Sequence, residues 1–199
     1  MLKIGITGGI GSGKSMVCSI FQQLRIPIFE SDAAVKTLYK ENQALQNALV
    51  ENFGLDVLKN NTISIDFLRL ILKDSSKREK LNSIVHPFVF HAFEEWVNNQ
   101  TSPYVMKEAA ILFESGANKT VDLTIGVISP EEVRLKRTIL RDPFRTEEEI
   151  IKIMNSQLSN SELREKCDYI IENNEQKSLI HQVKNLHQIL LDKSRHFFG

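Results

Sequence analysis

The chain has 199 residues, of which 42% are hydrophobic and 25% charged, enough for one compact domain with a core, or a core domain carrying a small insertion. Lys+Arg and Asp+Glu both number 25, so charge gives no footprint for nucleic acid or an anionic membrane, and any anion recognition must be local. Two cysteines, Cys18 and Cys167, lack C-x-x-C or metal-ligand spacing, and no apolar run approaches the ~18 residues of a membrane span. A reducing cytoplasm is therefore expected, with no structural disulfide and no membrane; a monomer or small homo-oligomer is a separate expectation.

Met1–Thr7 is short, apolar and β-branched and predicts a buried strand. The chain enters it almost at once, so no signal or transit peptide is expected. Gly8-Gly9-Ile10-Gly11-Ser12-Gly13-Lys14-Ser15 then fits the phosphate-loop pattern G-x-x-x-x-G-K-[ST]. A polyphosphate is enclosed by backbone N–H groups, which only a loop poor in side chains brings close enough. Val17, Ile20, Phe21 and Leu24 have helical spacing, and a helix N-terminus behind the loop faces the same anion. Lys14 would reach the β- and γ-phosphates, and the Ser15 hydroxyl would join the shell of a Mg²⁺ ion.

Arg25–Glu30 predicts a second strand, with Ser31 and Asp32 at its carboxyl end, the rim where α/β folds place ligands. Asp32 has two readings there: helix cap, shared with Ser31, or catalytic carboxylate. From Asn42 to about Asn99 helical patterns follow one another, with faces Ala44/Leu45/Ala48/Leu49, Phe67/Leu68/Ile71/Leu72 and Leu81/Ile84/Val85, broken at Gly54 and Asn60-Asn61. This predicts a helical insertion able to close over a substrate. His86-Pro87 is expected to start its last long helix, because proline suits a first turn; a lone histidine beside a cap is either structural or functional.

Pro103–Glu108 predicts a strand ending in a carboxylate, a second place for an acid that orients Mg²⁺ or its water shell. Val121–Ile128 predicts a further parallel strand, followed by a helix from Glu131 to Leu140 with Arg134, Lys136 and Arg137, ended by Arg141-Asp142-Pro143. Thr146 with Glu147–Glu149 reads as a cap with an acidic first turn for a helix reaching Leu158. The basic cluster is either a solvated face or a lid over a transferring phosphoryl group. A short helix at Ser159–Lys166, a strand at Cys167–Ile171, and a closing helix with Leu179, Ile180, Val183, Leu186, Ile189 and Leu190 on one face complete the chain, whose tail from Arg195 to Gly199 is expected to fray.

A phosphate loop alone serves kinases, ATPases and GTP switches. Asn118–Asp122 precedes its strand and lacks the spacing of a guanine-reading motif. A small-molecule kinase accounts for core, insertion and lid together. Thr7–Ser15, Ser31-Asp32-Ala33, Ile84-Val85-His86-Pro87, Ala110-Ile111-Leu112-Phe113-Glu114, Arg137 with Arg141-Asp142, Gln157 and Asp168–Asn173, in that order over nearly the whole chain, resemble the dephospho-CoA kinase family.

The resemblance implies an α/β phosphate-loop (P-loop) kinase-like three-layer fold with a parallel sheet. Its nucleotide-binding core would comprise residues 1–41 and 100–199, with a short helical lid at about 137–155 and a helical acceptor-binding insertion at 42–99. It implies transfer of the ATP γ-phosphoryl group to the ribose 3′-hydroxyl of dephospho-coenzyme A, with ATP as co-substrate and Mg²⁺. Asp32 would be the general base, acting with Lys14, Arg137 and Arg141. Gly9, Gly11, Ser12, Gly13, Lys14, Ser15, Met16 and Asn173 would contact the nucleotide. His86, Leu112, Phe113, Glu114 and Asp32 would serve the acceptor, and Ser15 and Glu108 the metal. The sequence departs from the family pattern at Glu30, where the pattern has the first acid of Asp-x-Asp. It departs again at Ala110 in place of a proline, at Met16 in place of a hydroxyl residue, and at Ile153, beside Lys152, in place of an arginine. Another nucleoside or nucleotide kinase, or a non-catalytic ATP sensor, is the alternative.

Overall fold

Leu2, Ile4 and Ile6 alternate along the first strand and are at most 1% exposed, as expected of a strand with one face in a core. The computed structural model describes residues 1–60, 62–71 and 74–196. Asn61, Leu72 and the tail beyond His196 lie outside the described residues, and with them part of the expected break, one apolar face and the fraying end. In chain order the elements are β1 (Leu2–Thr7), α1 (Lys14–Gln23), β2 (Ile28–Glu30), α2 (Ser31–Glu41), α3 (Gln43–Phe53), β3 (Leu58–Lys59), β4 (Thr62–Ile63), α4 (Ile65–Ile71), α5 (Ser75–Asn98), β5 (Tyr104–Glu108), β6 (Leu123–Ile128), α6 (Glu131–Arg141), α7 (Glu147–Asn155), α8 (Asn160–Lys166), β7 (Tyr169–Glu172) and α9 (Leu179–His196).

Two compact units result: Met1–Phe29 with Asn99–Gly199, and Glu30–Asn98. The first is built on a five-stranded sheet in the order β2-β5-β1-β6-β7. Its registers are parallel, with Leu2 opposite Tyr104, Ile6 opposite Glu108 and Ile6 opposite Ile125. β6 likewise pairs in parallel with β7. One face presents Leu2, Ile4, Ile6, Tyr104, Met106, Ile125 and Val127 to Val17, Cys18 and Phe21 of α1 and Val183, Leu186 and Leu190 of α9. The opposite face carries Gly5, which Leu112 and Val121 approach so closely that an added Cβ would lie 2.7 Å from the Leu112 side chain. On that face Lys107, fully buried, donates to the Thr120 hydroxyl at 3.0 Å, and the Asp168 carboxylate accepts from both the backbone and the hydroxyl of Thr124 at 2.7 Å. Layers on both faces of a parallel sheet are the expected α/β arrangement.

The second unit, Glu30–Asn98, packs α2 and α3 against α5. Gln46 ties the end of α2 to α3 by donating to the carbonyls of Tyr39 and Lys40 at 3.1 and 3.2 Å. The structure differs from expectation here at three points. α2 clusters with this unit. A small antiparallel pair, β3 with β4, sits among the helices; each strand has only two residues, too few to show an alternation. Pro87 does not open a helix but lies inside α5. There it removes one internal hydrogen bond, and the continuous stripe of buried Leu81, Val85, Val89, Phe93 and Val97, one residue every fourth position, holds the helix on both sides of it.

Neither Ser31 nor Asp32 caps α2: the N-cap is Glu30, without a side-chain cap bond, and both residues already have helical conformation. The capping boxes at Thr146/Glu149 and Ser159/Glu162, in contrast, are both formed. No helix among the described residues is long and apolar enough to cross a membrane.

Candidate active site

The loop between β1 and α1 turns through two left-handed glycines, Gly11 (φ 76°) and Gly13 (φ 89°), a region L side chains enter only at a cost. Gly13 is the N-cap of α1. The Ser12 N–H donates to the Gly9 carbonyl at 3.0 Å, and those of Met16 and Val17 donate to the Gly13 carbonyl at 3.0 and 3.2 Å. Such a turn ending on a helix N-terminus forms a concave set of backbone N–H groups suited to an anion. Lys14 is the first residue of α1, Ser15 and Met16 follow, and both of these side chains are exposed.

Helix α6 packs directly on this loop. Arg134, only 2% exposed, donates through Nε to the Ile10 carbonyl at 3.0 Å. The Thr138 hydroxyl bonds back to the Arg134 carbonyl at 2.8 Å. A Cβ on Gly11 would meet that carbonyl oxygen at 2.3 Å and the Thr138 hydroxyl at 2.7 Å. The loop's glycines therefore serve close backbone packing as well as anion access. From the far side of α7, Gln157 Oε1 accepts from the Ile10 N–H at 2.8 Å. Asn173, past the end of β7 and 7% exposed, donates to the Ser12 carbonyl at 2.8 Å. Arg137 reaches the Asn173 side-chain oxygen at 3.5 Å, Glu175 at 3.1 Å and the Ser129 hydroxyl at 3.4 Å.

The expected basic residues are thus distributed unequally. Lys14 forms an ion pair with Glu108 at the end of β5, both side chains being 13% exposed. Arg137 lies beside Asn173, whereas Arg141 is exposed and pairs with Asp142 at 2.9 Å, an interaction that raises its own pKa and lowers that of Asp142. Arg134, expected in either a solvated face or a lid, is instead the most buried arginine of α6 and touches the loop itself. Burial lowers its pKa, against the opposing charge of Glu131, yet a guanidinium stays protonated at neutral pH. Among the described residues, Ser12 Oγ and Arg134 Nη2 are buried without a hydrogen-bond partner. Both lie at the phosphate loop, and an anion there would satisfy two donors whose isolation is otherwise unfavourable.

Leu112 is fully buried against Gly5, so its side chain belongs to the core. Phe113 is half-buried and Glu114 exposed, and Glu114 accepts from the Leu158 N–H at 3.2 Å. In the second unit Asp32 occupies the first turn of α2 with its side chain exposed, next to a Ser31 hydroxyl that is buried without a partner. His86 lies halfway along α5 with its ring stacked on Phe90, centroids 6.0 Å apart.

Comparison with known proteins places the chain in a family. A family model described as dephospho-CoA kinase matches residues 2–178. A Salinibacter ruber protein named dephospho-CoA kinase is 36% identical over 178 residues, covering 87% of this chain and 89% of that protein. A crystal structure from Thermus thermophilus superposes with a TM-score of 0.80 at 28% identity, covering 96% of this chain and 97% of the other. A solved dephospho-CoA kinase from Campylobacter jejuni shares the fold, with a TM-score of 0.67 at 23% identity over 96% of this chain and 98% of its own. The family model over residues 2–178 and the 36% identity across most of both chains show that the chain belongs to the dephospho-CoA kinase family.

Proposed function

We propose that this kinase moves the γ-phosphoryl group of ATP to the ribose 3′-hydroxyl of dephospho-coenzyme A by direct in-line transfer, with Asp32 as general base. The acceptor oxygen forms the new P–O bond, the bond from the γ-phosphorus to the β,γ-bridging oxygen breaks, and the hydroxyl proton passes to the Asp32 carboxylate, leaving ADP and coenzyme A. Phosphoryl transfer needs little covalent chemistry from the protein, so positioning and charge stabilisation carry the rate. The loop N–H groups, the Ser12 hydroxyl and Lys14 hold the phosphates. Arg137 and Arg141 belong to the lid, and Asn173 lies on the nucleotide side. Phe113, Glu114 and His86 serve the acceptor.

The donor set suits Mg²⁺. Ser15 and Glu108 offer hard oxygen atoms, and no cluster of three His, Cys, Asp or Glu that could hold a metal exists among the described residues. That pattern matches an ion held mainly by phosphate oxygens and water. Bound there, Mg²⁺ would neutralise charge on the β- and γ-phosphates. Glu108 also holds Lys14, which supports a role in placing the ammonium group.

The observation that carries this reading is the pairing of Lys14 with the strand-end acid Glu108, at a loop where Ser12 Oγ and the Nη2 of Arg134 from α6 are buried donors without partners among the described residues. The test is ADP release from Mg-ATP with dephospho-coenzyme A, nucleosides, AMP or no acceptor, in a cytoplasm-like reducing buffer. Release that depends on dephospho-coenzyme A is the expected result. Preference for a nucleoside or AMP would instead make it a nucleotide-pathway kinase, and binding without release an ATP sensor.

A further inference from the structure

Ile10 stands between Gly9 and Gly11, a stretch of chain with little intrinsic stiffness. Its N–H belongs to one peptide plane and its carbonyl to the next, and the structure holds both. Gln157 Oε1 takes the N–H at 2.8 Å, and Arg134 Nε donates to the carbonyl at 3.0 Å. These two side chains come from opposite ends of the α6–α7 hairpin. Arg134 lies in the first half of α6, and Gln157 follows Ser156, the C-cap of α7. The next residue, Leu158, is bonded through its N–H to Glu114, so the rear of the hairpin is tied on both sides. Arg134 is also fixed: its carbonyl is held by Thr138, its guanidinium lies against Gly9, where an added Cβ would be 2.1 Å from Nη2, and that nitrogen is buried without a partner.

We propose that Arg134 and Gln157 are positioning residues that fix the two peptide planes flanking Ile10, and with them the curvature in which the phosphate loop receives a nucleotide. The clamp removes motion that the flanking glycines would otherwise keep, so less ordering remains to be done when phosphates bind. It also makes Ile10 the common anchor of both ends of the hairpin, so displacement of the lid's base is felt by the loop. Because a charged donor holds one plane and a neutral acceptor the other, removing either releases the same residue, and the two losses overlap instead of adding.

The inference rests on the loop binding nucleotide phosphates, and ADP binding reads it without the acceptor. Calorimetric titration with ADP compares wild type with Arg134→Met, Arg134→Lys, Gln157→Leu, Gln157→Glu and the Met/Leu double variant, each checked for native circular dichroism. The apolar variants should each weaken ADP about tenfold, the double variant by no more than about thirtyfold, and Lys and Glu, which keep a donor and an acceptor, should restore most of the affinity. In turnover, KM for ATP should rise while KM for dephospho-coenzyme A stays put. Unchanged ADP affinity in folded Gln157→Leu overturns the inference even where Arg134→Met weakens binding through its free Nη2, as does a fully multiplicative loss in the double variant. Failure of wild type itself to bind ADP overturns the underlying kinase reading instead.

Discussion

Gly11→Ala separates the two demands placed on the phosphate loop, and Gly116→Ala is its control. The two glycines have nearly equal φ, 76° and 74°. A Cβ on Gly116 meets nothing within 4 Å, whereas one on Gly11 lies 2.3 Å from the Arg134 carbonyl oxygen and 2.7 Å from the Thr138 hydroxyl. Both substitutions incur the left-handed backbone term, about 1–2 kcal/mol. Only Gly11→Ala must also push α6 off the loop, which adds roughly 1–3 kcal/mol if it behaves as an overpacked core. At about 2–4 °C per kcal/mol for a chain of this size, Gly116→Ala should lower Tm by roughly 2–8 °C and Gly11→Ala by roughly 4–20 °C. Differential scanning calorimetry of both variants in one buffer measures the difference directly. Equal shifts, or a larger one for Gly116→Ala, would show that α6 does not bear on the loop as described.

Lys14→Met should reduce kcat/KM for ATP by about 10²–10³ and leave the largely buried Glu108 carboxylate without its cation; steady-state kinetics within threefold of wild type would contradict the phosphate role. Asp32→Asn is expected to keep ADP affinity while kcat falls by about 10²–10⁴, and near-normal turnover removes Asp32 from proton transfer. Glu108→Gln should raise the Mg²⁺ concentration for half-maximal rate, read from a metal titration at saturating ATP. Away from the site, the Tyr104 hydroxyl and His187 Nδ1 are 2.7 Å apart. Burial lowers the His187 pKa from 6.5 and pushes the Tyr104 phenol up. In the range where His187 titrates, the unfolded chain binds more protons than the native one, so this histidine's contribution is fully present above about pH 6.5 and is lost as pH falls through its lowered native value. Wild type should therefore lose more Tm than His187→Gln between about pH 7.5 and pH 5.5; equal losses would exclude the imidazole.

The loop and its strand–helix context were legible because their chemistry restricts residue choice: only glycine tolerates the turn, and only a long cation reaches from a helix start to a phosphate. β1 then followed from a short apolar run with β-branched residues, and α1 from a periodicity of 3.6 residues. Arg134 was hidden for the opposite reason. On a helix with Lys136 and Arg137 it looks like one more exposed cation, and its burial arises only when α6 meets a surface stripped of side chains at Gly9 and Gly11. Gln157 stood out by family likeness alone, since a half-buried glutamine after a helix has no local signature. Pro87 misled in a further way: its usual place is a first turn, but the buried residues spaced four apart on both sides of it outweigh one missing hydrogen bond. Leu112 shows that a residue matching a family block can be occupied by the core rather than by a ligand.

The strand order has a consequence for synthesis of the chain. β1 lies between β5 and β6, both encoded after the whole Glu30–Asn98 unit, so its ladder partners do not exist when it leaves the ribosome. At about 5–20 residues per second, Leu2 waits roughly 5–20 s for Tyr104. The intervening unit makes its own internal contacts. During that interval Leu2, Ile4 and Ile6 form an apolar segment with both edges open. Translation speed across residues 30–98 thus sets how long the strand that later carries the phosphate loop is exposed to mispairing.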